Sequence, residues 1–163
     1  MNTVFISLGS NIEREKYINA GINALKKAFG PLILSSVYES DAVGFKGAPF
    51  LNLVASFETD QSPKQVDLVL DNIERLNGRT PEQKKFNPRT LDLDLILYGD
   101  HISQDPTLEI PREDVTQYAF VLAPLNEIAG HHLHPILKKS YAELWEAFDK
   151  KGTKQRCIDF NFS

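Results

Sequence analysis

The sequence predicts an α+β fold of the ferredoxin-like, split βαβ kind, a mostly antiparallel sheet with helices packed on it. Two observations carry that expectation. The apolar period switches along the chain in the order strand, helix, two strands, helix, strand, followed by a more irregular tail. Turn and cap residues stand where the period switches, at Gly30-Pro31, Ser62-Pro63 and Gly99-Asp100. The 163 residues hold no internal repeat and no Gly/Ser-rich or Pro-rich linker, so 1–163 reads as a single domain.

Val4, Phe5, Ile6 and Leu8 make a largely buried strand, closed by the turn residues Gly9-Ser10-Asn11. Ser10 and Glu13 have the spacing of a capping box. Behind them Ile18, Ile22, Leu25 and Phe29 recur at helical spacing until Gly30-Pro31 stops the helix. Residues 32–40 form a second strand, and a loop over 41–49 leads to a third over 50–59. In that third strand Leu51, Leu53, Ala55 and Phe57 alternate with Asn52, Ser56 and Glu58. Ser62 and Pro63 are the N-cap and first-turn residue of another helix, with Val66, Val69, Leu70, Ile73 and Leu76 as its buried stripe. Gly78 stands at its C-terminal cap. Residues 79–88 are charged, carry Pro81 and Pro88, and read as a mobile exposed loop. Residues 91–98 are the clearest strand. Further on, 118–129 reads as a helix interrupted at Pro124. Ser140 with Glu143 caps a short helix containing Leu144, Trp145 and Phe148. Ile158, Phe160 and Phe162 alternate in a closing strand.

Composition excludes several functions. A net charge of −4 argues against a general nucleic-acid binder. No apolar run is long enough for a bilayer and no signal peptide is visible, so no membrane partner is expected. The single cysteine, Cys157, excludes an intramolecular disulfide and a zinc site built on a cysteine cluster, and fits a reducing, cytoplasmic setting. It flanks an apolar strand and reads as a small core residue. His131, His132 and His134 have the look of a metal tract, but no acidic or cysteine partner is near in sequence and Pro135 marks a surface turn.

The chemistry concentrates in Asn87-Pro88-Arg89-Thr90-Leu91-Asp92-Leu93-Asp94-Leu95-Ile96-Leu97-Tyr98. Side chains alternate across a strand, so Asp92 and Asp94 share one face while Leu91, Leu93, Leu95 and Leu97 share the other. Two residues along a strand is roughly 6.5–7 Å, from which both carboxylates reach a pair of hard cations. Mg²⁺ takes one or two carboxylates and completes its shell with water and substrate phosphates. The plainer reading is two carboxylates facing water, yet Asp is depleted in strands. Arg89 adds a guanidinium at the mouth of the strand, and Arg79, Lys84 and Lys85 precede it in the loop. Carboxylates for metal beside cations for phosphate are what phosphoryl transfer from a nucleotide needs.

Pro88-Arg89-Thr90-Leu91-Asp92-Leu93-Asp94-Leu95-Ile96 resembles the signature of the 6-hydroxymethyl-7,8-dihydropterin pyrophosphokinase family. The resemblance covers nearly the whole chain. It takes in Ser7-Leu8-Gly9-Ser10-Asn11, Ser36-Val37-Tyr38-Glu39-Ser40, Gly44, Phe50-Leu51-Asn52, Ile73-Glu74, Gly78-Arg79, Phe120-Val121-Leu122 and Pro124-Leu125. It implies transfer of the β,γ-diphosphate of ATP to the pterin hydroxymethyl oxygen, releasing AMP, with two Mg²⁺ ions held by Asp92 and Asp94. The same resemblance implies Arg79, Arg89, Asp92 and Asp94 as catalytic residues, and Glu74, Arg79, Lys85, Arg89, Leu95 and Arg112 around ATP. The reduced pterin falls to Phe50 and Phe120, which sandwich it, and to Ser40, Val43, Gly44 and Asn52 at its edges. A flat, electron-poor heterocycle suits aromatic stacking, and an amide matches its polar edge. The implied partners are these two small substrates alone, with the chain acting as a monomer.

The chain departs from the family's pattern. Arg112 follows Leu108-Glu109-Ile110-Pro111 where the family has His, and Tyr118 stands where it has Arg. Phe50 stands where Tyr is commoner. The loop is also less basic, with Pro81 and Glu82. These changes keep one alternative in view, a pterin- or nucleotide-binding paralogue with little catalysis. A second alternative is an RNA-binding module, since ferredoxin-like sheets stack bases on exposed aromatics. The acidic balance and the paired aspartates count against it.

Overall fold

The computed structural model describes residues 1–41, 47–78, 89–151 and 154–163. Its elements run β1 (Asn2–Ser10), α1 (Arg14–Phe29), β2 (Ile33–Leu34), β3 (Val37–Ser40), β4 (Phe50–Thr59), α2 (Pro63–Leu76) and β5 (Asp92–Tyr98). Then come α3 (Asp114–Gln117), α4 (Ala119–Ala129), α5 (Tyr141–Ala147) and β6 (Gln155–Ile158). The sheet order is β5-β1-β4-β3-β6, with β2 also on β4, and the described pairs are antiparallel. This is the predicted α+β, ferredoxin-like arrangement, extended by β6 at one edge.

Helices cover both faces. On one, Ile18, Ile22 and Leu25 of α1 and Val66, Leu70 and Ile73 of α2 pack on Val4, Ile6, Leu8, Leu53 and Leu93. On the other, Val115, Val121, Leu122, Leu125 and Tyr141 pack on Phe5, Val54, Ile96 and Leu97. Central β1 is therefore buried on both sides from Val4 onward, which is why Val4-Phe5-Ile6 reads as a continuous hydrophobic run. Each fully buried aliphatic side chain contributes about 1.5–3 kcal/mol over an exposed one. The second face is the one on which an RNA reader would stack bases, and here helices lie on it.

Several elements differ from expectation, each for a local reason. Gly9 and Ser10 are not a turn: they pair with Asn52 and Leu51, so β1 runs on through them. The Ser10–Glu13 box does not form. Ser10 donates its hydroxyl hydrogen to the Ile12 carbonyl at 3.2 Å, and Glu13 caps α1 at φ 43 with no side-chain bond. The expected strand over 32–40 is broken at Ser35-Ser36. The Ser35 hydroxyl accepts the Val54 N–H at 2.9 Å, while Ser36 gives its N–H and hydroxyl hydrogen to Glu127 at 2.8 and 3.0 Å. β6 ends at Ile158, opposite Val37, because β3 begins there and offers no further partner. Phe160 and Phe162 instead pack on each other, with ring centroids 5.0 Å apart. Cys157 is exposed rather than a core residue.

Helix α4 continues through Pro124, forgoing one backbone bond while Val121, Leu122, Ala123 and Leu125 are buried around it. Helix α3 had no periodic signal in four residues. The caps fared better. Ser62 forms a full box with Gln65, Ser140 forms one with Glu143, and Gly78 has the positive φ of 93 that its cap position demands. His134 is buried, and its Nδ1 accepts the Ile136 and Leu137 N–H groups at 3.2 and 3.1 Å. His132 meets the Phe5 ring edge-on, so these two histidines serve packing and a turn.

One further difference shapes the site. The β1–β5 register runs Ile6 opposite Leu95 and Phe5 opposite Leu97, skipping Ile96. This β-bulge turns Leu97 to the face beneath α4, away from Leu91, Leu93 and Leu95. The skipped Ile96 offers its carbonyl to the Arg112 N–H at 3.1 Å.

Candidate active site

The second face of the sheet changes character along its length. Beneath α4 it is apolar; towards the other end of β1 it becomes Ser7 and Gly9. Ser7 lies between Val54 and Asp94, and Gly9 between Asn52 and Asp92. Small residues on the central strand with longer ones on both flanks make a trough. A Cβ on Gly9 would come within 2.9 Å of Asn52 Oδ1, so only glycine leaves the floor at this depth. The trough forms an open cleft. Phe50, Ser40 and Asp41 stand at one side, Phe120 and Val121 of α4 above, and Arg89, Asp92, Asp94 and Asp114 at the other.

Of the predicted pterin residues, Ser40, Phe50, Asn52 and Phe120 all line this cleft. Asn52 donates from Nδ2 to the Ser40 hydroxyl at 3.1 Å, which fixes the amide's orientation. Phe120 is backed by Tyr118, stacked on it at 5.0 Å and 21°. Two residues apart they meet because Tyr118 is extended, φ −122 and ψ 125, at the joint between α3 and α4. Val43, Gly44, Arg79, Lys84 and Lys85 lie outside the described residues.

Arg89, Asp92 and Asp94 are brought together as the strand spacing requires. Arg89 Nη2 lies 3.3 Å from Asp92 Oδ1 and 3.2 Å from Glu74 Oε2. Glu74 stands one step behind the cleft wall, 1% exposed, and also accepts the Leu93 N–H at 2.8 Å. It thus locks the guanidinium to the backbone of the aspartate strand. Asn11, just past the end of β1, ties Arg89 in place. It accepts the Arg89 N–H through Oδ1 at 2.8 Å and donates its own N–H to the Arg89 carbonyl at 3.0 Å. Burial pushes the Asp92 carboxyl up to about 6; Arg89 pulls it down, and Glu74 pushes the same way as burial.

A second, polar cleft adjoins the first and shares Asp94 and Asp114 with it. Leu95 and Arg112 line it, beside Asp67, Thr107, Glu109 and Glu113. Arg112 reaches Asp94 at 3.8 Å and Asp114 at 3.7 Å. Burial opposes its charge, but Asp94, Asp114, Asp92 and Glu109 outweigh that and hold the guanidinium above its ordinary value. Sequence reasoning missed Asp114, which sits in a segment without a periodic or motif signal, and it did not single out Asp41 or Val121 within segments it had matched.

The donor set is two hard carboxylates side by side, and among the described residues no three His, Cys, Asp or Glu gather into a metal cage. That fits a hard divalent cation completing its shell with water and substrate oxygens. The Nε atoms of Arg89 and Arg112 are both buried without a hydrogen-bond partner among the described residues, donors left for an anion. Fold and site together define a class, an α+β domain whose cleft sets a carboxylate pair beside guanidinium donors suited to an anion.

Comparison with known proteins narrows the class. Residues 5–130 match the model of the 7,8-dihydro-6-hydroxymethylpterin-pyrophosphokinase (HPPK) family. The chain is 35% identical over 145 residues to the 2-amino-4-hydroxy-6-hydroxymethyldihydropteridine pyrophosphokinase of Aquifex aeolicus, covering 88% of this chain and 90% of that one. It is 36% identical over 139 residues to the Haemophilus influenzae protein of the same name, covering 83% and 86%. Among solved structures it resembles a Plasmodium falciparum HPPK-DHPS with pteroate, with a TM-score of 0.72 at 14% identity, over 89% of this chain and 42% of that one. An HPPK-DHPS in complex with substrates gives 0.71 at 12%, over 90% and 43%. These two show the fold, and the chain spans less than half of each.

The chain belongs to the HPPK family. Its activity is pyrophosphoryl transfer in folate biosynthesis, and the non-catalytic alternative is not favoured. Among the described residues, no helix is long and apolar enough to cross a membrane.

Proposed function

We propose that this site transfers the β,γ-diphosphate of ATP to the hydroxymethyl oxygen of 6-hydroxymethyl-7,8-dihydropterin. The oxygen–β-phosphorus bond forms as the hydroxyl proton is released to solvent, the β-phosphorus bond to the α-phosphate oxygen breaks, and AMP leaves. One observation carries the reading. Asp92 and Asp94 both line one cleft, with Arg89 within 3.3 Å of Asp92 at its wall.

Phe50 and Phe120 bracket the pterin ring, and the Asn52 amide, held by Ser40, meets its polar edge. Arg89 offers its uncommitted Nε–H to a phosphate oxygen, and Arg112 does the same from the second cleft, where Leu95 lines the wall. Arg79 and Lys85 join them by family resemblance, and Glu74 serves the nucleotide through Arg89. Asp92 and Asp94 would hold Mg²⁺, two ions by the same resemblance. Bound there, divalent cations supply charge neutralisation at the phosphates. We nominate no side-chain base. Val43 and Gly44 remain assigned to the pterin edge by resemblance. The groups described come from one sheet and from the helices and connections packed on it, so we read residues 1–163 as one domain in which a monomer suffices. The exposed thiol of Cys157 suits a reducing cytoplasm.

The test is AMP formation from ATP and Mg²⁺, with and without the pterin, beside Asp94→Ala. Pterin-dependent AMP that disappears in the variant is the expected result. Tight pterin binding without AMP would overturn the transfer, and neither binding nor AMP would overturn the substrate.

A further inference from the structure

The site contains two carboxylate–guanidinium–carboxylate chains built alike. In one, Arg89 Nη2 lies 3.2 Å from Glu74 and 3.3 Å from Asp92. In the other, Arg112 lies 3.7 Å from Asp114 and 3.8 Å from Asp94. In each the inner carboxylate belongs to the β5 pair and the outer one is buried, Glu74 at 1% and Asp114 at 6% exposure. In each the guanidinium keeps a buried Nε–H without a hydrogen-bond partner among the described residues.

We infer that Asp114 is the positioning residue of Arg112, the tether that keeps this guanidinium in the phosphate site when a divalent cation takes Asp94. The inference rests on the reading that Arg112 serves ATP and that Asp94 holds metal. The physical case begins with the backbone. The bulge at Ile96 binds the Arg112 N–H, and the Val115 N–H returns to the Arg112 carbonyl at 3.2 Å, so Asp114 is carried on the same pinned turn. An arginine on a flexible stem needs a fixed anion to hold one geometry. Asp94 ceases to be that anion once its oxygens are drawn to a metal, and the new positive charge repels the guanidinium. Asp114 remains. At 3.7 Å its contact confines the guanidinium by charge without engaging its N–H donors, which stay available to phosphate oxygens.

The test is a double-mutant cycle read by calorimetry. α,β-Methylene-ATP with Mg²⁺ is titrated into the wild type, Arg112→Gln, Asp114→Asn and the double variant. Because Asp114 acts through Arg112, Asp114→Asn is expected to weaken binding about ten-fold alone but under two-fold beside Arg112→Gln. Asp114→Glu, which keeps the charge, is expected to restore part of the loss. Asp114→Ser, which also removes the charge, replaces the Asn variant in the cycle if that one does not melt cooperatively. Equal losses in both backgrounds, or no loss in either, would overturn the inference. Arg89→Gln separates the two levels. If it abolishes binding while the cycle is additive, only the tether fails; if it too leaves binding intact, the phosphate site itself is misassigned.

Discussion

Gly9 and Asn52 stand opposite each other in the sheet, and the Asn52 amide oxygen occupies the space that a Gly9 side chain would need, 2.9 Å from a Cβ there. The depth of the cleft floor and the aim of the amide are thus one feature. The Asn52–Ser40 bond holds the amide from the other side, so it has no room to yield without losing that bond.

Gly9→Ala is therefore expected to push Asn52 off Ser40 and weaken pterin binding by about ten-fold or more. Stability should fall by only about 1–3 kcal/mol, the usual range for overpacking. Isothermal titration with the pterin, beside a thermal melt, checks this. Unchanged affinity would show that Asn52 does not read the ligand.

Glu74 is the buried end of the Arg89 chain. Glu74→Gln keeps an acceptor for the Leu93 N–H but removes the charge opposite Arg89. Breaking a buried pair from one side costs about 3–5 kcal/mol, and Asp92, a second partner of Arg89, offsets part of it. A loss of about 2–3 kcal/mol is expected in urea denaturation, with nucleotide binding falling as Arg89 loses its anchor.

Tyr118 braces Phe120 from behind. An aromatic pair is worth about 0.5–1.5 kcal/mol beyond its buried area, so Tyr118→Ala should raise the pterin KM by roughly three- to ten-fold. Tyr118→Phe should restore it, since the ring and not the hydroxyl makes the stack. A Phe variant as weak as the Ala variant would sink the brace.

His134 gives the fold a pH dependence. Burial lowers its pKa, and two backbone N–H groups already occupy Nδ1, so the folded state favours neutral imidazole. In the unfolded chain the ordinary value is about 6.5. Its contribution is thus complete above about pH 6.5 and is lost as pH falls from there through the lowered folded value. His134→Asn, which can offer an amide oxygen to the same N–H groups, should flatten the Tm profile between pH 7 and 5. Parallel profiles for the two proteins would show that this histidine does not carry the effect.

The carboxylate half of the candidate site was legible in the chain because it is local. Asp92 and Asp94 share a face through strand alternation, and Arg89 is three residues away, so one segment held both chemistries. The aromatic half needed a family resemblance, since Phe50 and Phe120 are indistinguishable from core residues until the sheet and α4 bring them to one cleft. Asp114 had no local signal at all. Its meaning depends on a bulge in β5 whose Ile96 carbonyl holds the Arg112 backbone, and with it the turn that carries Asp114.

What the sequence by itself determined was the order of elements, two of the three proposed N-terminal helix caps, and the carboxylate pair. These follow from periodicity and from side chains bonding to backbone within a few residues. What only the tertiary structure decided was where local signals yield to long-range pairing. Ser10 left its capping role because β4 claimed its backbone for the sheet, and Ser36 left its strand for Glu127, 91 residues away. Leu97 changed face at a bulge that alternation along one strand does not reveal. A strand's register belongs to its neighbours, and no single segment contains it.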